Sequence, residues 1–211
     1  MFPQKNWIGR NEDKIILDLC GGTGSWSKPY KDAGYDVRVV TLPTYNIHHF
    51  VDIMPENVYG ILAAPPCTMF SMARTVAKTP RDLEGAMKTV QACLAIIWKA
   101  QYSGKRLQFW AMENPKARLR WFMGKPAMTF SPQDYGDPYR KPTDLWGNFN
   151  TDLKQTPVAL NPNQKKQSQL NVQNLLPIPS DYVRDPNMST RAIARSITHP
   201  GFAQALFNAN K

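Results

Sequence analysis

Tyr59-Gly60-Ile61-Leu62-Ala63-Ala64-Pro65-Pro66-Cys67-Thr68-Met69-Phe70-Ser71 decides how this chain is read. Residues 59–62 are a short apolar run of strand character, and the two prolines that follow forbid both helix and further ladder pairing. The backbone must therefore leave the sheet at Pro65 and hold Cys67 on a rigid turn. A cysteine at the carboxyl end of a strand in an α/β sheet stands where such sheets place their chemistry. A cysteine taken alone is more often a small buried apolar side chain, so its surroundings have to decide.

Working outward, residues 14–19 are a compact apolar segment that reads as a first strand, running into Cys20-Gly21-Gly22-Thr23-Gly24-Ser25. A helix is expected over 26–33, stopped by Gly34, and a second β-rich run over 37–41. Downstream, apolar residues at 83, 87, 90, 94 and 97 follow helical spacing and lead into a further strand at 107–112. Strands alternating with helices argue for a parallel sheet with right-handed crossovers. After Glu113-Asn114-Pro115 come a basic aromatic patch at 116–122 and a turn-rich segment at 131–142. Residues 150–174 are rich in Asn, Gln, Lys and Thr and read as a surface excursion. A last helical pattern runs through Phe202, Ala205 and Leu206. The expected division is a core over 1–149, a polar insertion over 150–188 and a segment over 189–211 that returns to the core.

With 211 residues and 42% apolar content the chain can bury the core of one domain with a small appendage. Its formal charge of +10 favours a polyanionic partner, because surface Lys and Arg gain by releasing counterions from phosphates. No apolar run approaches the roughly 18 residues of a membrane span, and the amino terminus lacks a signal-like apolar region, so a soluble, cytoplasmic protein is expected. Cys20, Cys67 and Cys93 lack the spacing of a disulfide framework or zinc site, and His48, His49 and His199 add no ligand pattern, so no metal is expected.

Two sites carry chemistry. A glycine turn between a first strand and its helix lets a ligand approach the backbone and suits a nucleotide-containing cofactor. It is not the Gly-x-Gly-x-x-Gly dinucleotide fingerprint. Cys67 and Glu113 then lie at the ends of two different expected strands. A thiolate adds to an electron-poor ring far better when an acid protonates a ring nitrogen as the bond forms.

These pieces come in the order found in the DNA cytosine-5 methyltransferases. Residues 18–26 resemble the first motif of that family, 65–71 its Pro-Cys motif and Glu113-Asn114 its Glu-Asn motif. Asp52-Ile53 is similar to the adenine-contacting motif, 136–143 to the Gly-x-Pro-Gln-x-Arg-x-Arg segment and Ala194-Arg195-Ser196-Ile197 to the Gly-Asn-Ser-Val segment. The resemblance implies a Rossmann-like S-adenosylmethionine-dependent methyltransferase fold, mostly parallel, with helices on both faces. It implies S-adenosyl-L-methionine as cofactor, held by Asp18, Leu19, Gly22, Thr23, Gly24, Ser25, Trp26, Asp52, Ile53, Pro66 and Ser196. Cys67 would attack cytosine C6, Glu113 would protonate N3, and Lys141 would keep the positive charge of the Arg-containing segment. The partner would be DNA, with RNA as the alternative, contacted by Ser71, Arg74, Lys78, Arg81, Arg140, Lys165 and Lys166, after the target base is flipped out.

The rival class that methylates exocyclic amines needs Asp or Asn before Pro-Pro and an aromatic after it, where this chain has Ala64 and Cys67. The chain also departs from the cytosine-5 family. Thr41-Leu42-Pro43 replaces the usual ribose-binding acid, which opens the alternative of a nucleic-acid-binding protein without turnover. The short 150–188 region stands in place of a target-recognition domain, so specificity would be low or supplied by a protein partner to a monomer. Such abbreviated members look like those of bacteriophages, which would place the protein in a bacterial or phage-infected cell.

Overall fold

The computed structural model describes residues 9–72, 74, 77–102, 107–159 and 176–211. Four parallel strands form the heart of the sheet: β1 (Ile15–Leu19), β2 (Asp36–Val40), β3 (Val58–Ala63) and β4 (Phe109–Pro115). β6 (Thr143–Asn148) pairs antiparallel with β4, and β5 (Met128–Phe130) pairs antiparallel with β6, giving the order β2-β1-β3-β4-β6-β5. Every residue of β3 is buried, as a central parallel strand covered on both faces requires. The chain is thus an α/β protein with a mixed, mostly parallel sheet.

The alternation of side chains along the strands sorts the apolar residues into two cores. Leu17, Ile61, Ala63 and Met112 face α2 (Ile47–Ile53) and α3 (Leu83–Tyr102), which contribute Phe50, Val90, Cys93 and Ile97. Ile16, Leu62, Ala111 and Leu145 face the opposite way, toward Tyr30 of α1 (Lys28–Asp32) and Phe202 and Leu206 of α6 (Pro200–Ala209). Phe202 stacks on Phe130 with ring centroids 3.7 Å apart. Burying one such ring stabilises the fold by about 1.5–3 kcal/mol; before α6 come α5 (Thr190–Ser196), with Ile193 and Ala194 buried, and the buried His199.

β4 runs through Pro115, so Glu113 and Asn114 are strand residues, paired with Leu145 and Asp144 of β6, and not the loop that follows a strand ending at 112. α1 begins at Lys28 with Pro29 in its first turn, two residues later than expected, because Trp26 is buried in a turn against Phe202. The turn-rich 131–142 segment holds only a short 3-10 helix (Pro132–Tyr135), and the strand behind it, β6, gives no distinctive pattern in sequence. Among the described residues no helix is long and apolar enough to cross a membrane.

Candidate functional site

The parallel register pairs Leu19 with Ala63 and Ala63 with Met112, so the chain leaves β1 and β3 on the same edge of the sheet, beside Glu113. The Ala64 N–H donates to the Leu19 carbonyl at 2.9 Å, tying the Pro-Pro-Cys turn to the glycine loop. Buried Asn114 Nδ2 donates to the Pro65 carbonyl at 2.9 Å. Beyond the prolines, the N–H groups of Phe70 and Ser71 both donate to the Cys67 carbonyl, and Phe70 is fully buried. Arg81 closes the turn from outside through its donations to the carbonyls of Met69 at 2.6 Å and Ser71 at 3.0 Å. Cys67 is thus fixed, half-buried, at the wall of a cavity of about 780 Å³.

Burial pushes the Cys67 thiol up; Lys141 and Arg195 pull it down, and Glu113 adds to the rise. Glu113 is raised by burial too, against the opposing pull of Lys141. One ammonium group therefore acts on both the thiol and the carboxyl. Its Nζ lies 3.4 Å from the Arg195 carbonyl. Glu113 lines a second, small cavity of about 30 Å³ with His199, and Tyr139, Lys141 and Ser196 line both cavities as a shared wall. Behind that wall His199 Nδ1 lies 2.7 Å from Asp137 Oδ1, and the His199 ring packs edge-on to Tyr139 at 4.5 Å.

Arg195, Asp137 and His199 are members of this cluster that the sequence reading did not assign. Arg195 and Asp137 lie inside quoted motifs without a role. His199 was weighed only as a metal ligand, and its position near the start of α6 gives no signal before the fold is known.

Cys20, Gly22, Val40, Thr41, Leu42 and Asn46 also line the cavity, as does Ser196. Gly22 has φ of 54°, and a β-carbon there would meet only the Ser196 hydroxyl, at 3.6 Å. This is an open cradle of backbone, suited to a ligand that approaches the main chain closely.

Of the eleven residues expected to hold a cofactor, Gly22, Pro66 and Ser196 line the cavity. The others have structural positions. Leu19 is fully buried in the core, and Trp26 packs on Phe202. Ser25 Oγ accepts from the Thr198 N–H at 2.7 Å, and so joins the glycine loop to the segment before α6. Thr23 and Gly24 do not line the cavity; a β-carbon at Gly24 would press on Val39. Asp18 lies beneath the loop, fully buried, and accepts from Ser27 Oγ at 2.6 Å. Burial pushes its carboxyl up to about 6, with side-chain and backbone donation from Ser27 opposing. Asp52 and Ile53 lie on the exposed side of α2, since Ile47 and Phe50 claim the buried side; the start of α2, Asn46 to His48, lines the cavity instead.

Ser71 and Arg74 reach the cavity rim, and Lys78 is exposed. Arg81 donates to the main-chain carbonyls of Met69, Ser71 and Arg74 and so braces the Cys67 turn. Arg74 is also engaged, with the Thr79 and Pro80 carbonyls at 2.9 and 3.1 Å. Arg140 is exposed, donates to Gln133 Oε1 and does not line the cavity. Lys165 and Lys166 lie outside the described residues.

The cavity is of the size that takes a small molecule or cofactor. The Cys67 thiol stands in its wall, and across the wall it shares with the small cavity is a carboxyl, Glu113, raised by burial; a thiol and a raised carboxyl are groups able to add sulfur to an electron-poor carbon while a proton is delivered to a neighbouring atom. No protein-family model matches the chain, and comparison with curated proteins gives no significant match.

Proposed function

We propose that this protein transfers a methyl group from S-adenosylmethionine to C5 of cytosine in DNA through a covalent Cys67–C6 intermediate. The observation that carries the reading is that Lys141 acts on both Cys67, at the wall of the large cavity, and Glu113, in the small cavity behind the shared wall, while the Gly22 backbone borders the same large cavity. The sheet order, with helices on both faces and a terminal antiparallel pair, is compatible with a Rossmann-like methyltransferase fold.

Gly22, Pro66 and Ser196 would hold the cofactor, with Thr41 and Asn46 offering a hydroxyl and an amide near them. When bound, it supplies an electrophilic methyl group. Cys67 as thiolate adds to C6, and the Glu113 carboxyl gives its proton to N3, so the ring's electron pair moves to C5 instead of leaving negative charge on nitrogen. Lys141 holds charge balance between the two, lowering the thiol and compensating the carboxylate left after proton donation. Once C5 is methylated, its proton passes to solvent water, Cys67 leaves as thiolate while the C5–C6 double bond reforms, and N3 returns its proton to Glu113. The turn bracing by Asn114 and Arg81 keeps sulfur in place through both steps.

An oligonucleotide carrying 5-fluorocytosine tests the proposal, because fluorine cannot depart as a cation and the adduct is trapped. A covalent complex dependent on S-adenosylmethionine is expected, and Cys67→Ser is expected to abolish it. Attachment mapped to Cys20 or Cys93 would overturn the assignment. The Val40-Thr41-Leu42 wall, which lacks an acid, favours a second reading, binding without turnover. Undetectable S-adenosylmethionine binding at millimolar concentration, with and without DNA, would select it.

A further inference from the structure

Beside the mouth of the cavity the surface changes character. Trp121 and Phe122 of α4 (Arg120–Met123) are 70% and 48% exposed, and Met72, at the cavity rim, is 60% exposed. The Arg118 guanidinium lies 5.4 Å from the Trp121 ring centroid and donates to Met72 Sδ at 3.1 Å. Lys116 and Ala117 line the cavity itself. These side chains are held on a rigid mount. Leu119 is fully buried, Arg120 is locked to buried Asp144 and to Thr129, and the Arg118 N–H donates to the Phe70 carbonyl in the nucleophile turn. Phe122 packs edge-on to Phe70 at 6.4 Å, so the exposed aromatics are coupled through one buried ring to the turn that carries Cys67.

Two large aromatic side chains fixed in solvent add little to the core, and an exposed apolar patch beside a binding cavity marks contact with another molecule. Cations interleaved with the rings make a protein core a poor match for it. A nucleic-acid strand is the better match, since bases stack on aromatic faces, guanidinium groups add cation–π attraction, and phosphates meet the positive charge. We infer that Trp121 and Phe122, with Arg118 and Lys116, form a stacking platform for an unpaired nucleobase flanking the one held in the cavity. The inference rests on the proposed function for the identity of the strand. Stacking of this kind is tolerant of base identity, which suits a chain whose +10 charge supplies affinity without reading sequence.

The test is titration of fluorescein-labelled single-stranded oligonucleotides with the full chain over a range of salt. Trp121→Ala is expected to weaken binding by roughly five- to a hundredfold, the scale of one lost base stack, with the salt slope unchanged. Trp121→Phe should recover most of it. Arg118→Gln should reduce the salt slope by about one. Trp98→Ala, an exposed aromatic on α3 that does not line the cavity, should leave affinity unaltered. Unchanged affinity in a folded Trp121→Ala protein would overturn the platform, as would a Trp121→Ala effect confined to self-association or to binding of another protein. Fluorocytosine trapping at Cys67 in that folded protein would leave the proposed function standing; a Trp121-dependent affinity without any trapping would leave only the platform.

Discussion

Asp18 in β1 and Glu113 in β4 are carboxylates on the same face of the sheet, the one covered by α1 and α6, each near the carboxyl end of its strand. Burial raises both. Their neighbours differ. Asp18 is closed in beneath the glycine loop, where Ser27 donates to it and a β-carbon at Gly21 would overlap its carboxyl group. Glu113 borders a small cavity whose wall it shares with the Cys67 chamber, and its electrostatic partner is a lysine. A raised carboxyl with only local hydrogen bonds shapes a loop. One that faces a cavity, a cation and a thiol has a proton to deliver.

Replacing Glu113 with Gln gives the largest effect that separates the two. Fluorocytosine adduct formation is expected to slow by roughly a hundredfold or more, the usual scale for a positioned acid. The pH dependence carries the sign. With the native residue, rate rises with pH while Glu113 stays protonated and thiolate accumulates, then levels once Glu113 ionises above the ordinary carboxylate range. With Gln the rise continues until the thiol itself, also raised by burial, is ionised. Equal rates and profiles in both proteins would reduce Glu113 to another Asp18.

The two ends of this contrast were not equally legible in the sequence. The four parallel strands follow from short apolar runs bounded by turn residues and the long helix α3 from a period-3.6 pattern, and Cys67 at a strand end follows from two consecutive prolines. Those are local signals. β6 and α2 were not read because turn residues flank short segments with weak periodicity. That Asp52 and Ile53 are exposed was not legible on the same ground, since without α2 nothing in the chain says which side of it is buried. Asp18 lies buried beneath the glycine loop, a placement not legible in sequence because position in a motif does not distinguish a side chain aimed at a cavity from one beneath a loop. Asp137, Tyr139 and Lys141 are close in sequence, as are Arg195 and His199, but the two groups come from distant parts of the chain, and no spacing encodes their meeting.

Asp18 should report on stability and leave chemistry nearly alone. Its carboxyl goes from 3.8 to about 6 on folding, so the protonated form is the one the fold prefers. Stability is then greatest below about pH 4, declines as pH rises through about 6 and is flat beyond, a loss of about 3 kcal/mol for a shift of this size. Asp18→Asn keeps an acceptor for Ser27 and carries no charge. Denaturant unfolding between pH 4 and 8 should show that decline in the native protein and its absence in the variant, with the variant the more stable at pH 8. An adduct rate changed by more than a few-fold would put Asp18 in the reaction and erase its difference from Glu113.

The smallest expected effect comes from the glycine next to the one that packs on Asp18. Gly21 is excluded from substitution by contact with the carboxylate beneath it, whereas Gly22 is restricted by its positive φ and by what approaches it from the cavity. An alanine at Gly22 adopts the left-handed conformation at a cost of about 1–2 kcal/mol, and its methyl group meets the Ser196 hydroxyl at an ordinary contact distance of 3.6 Å. Gly22→Ala should therefore stay folded with that modest loss of stability, while calorimetry shows weaker S-adenosylmethionine binding. Thiol reactivity at Cys67 toward a small alkylating agent should not move, because the added methyl group meets Ser196 and not Cys67. Weaker cofactor binding with unaltered thiol reactivity would assign Gly22 and Cys67 to two separate tasks. Unchanged cofactor affinity would instead mean that the Gly22 loop, like Asp18 below it, belongs to the scaffold.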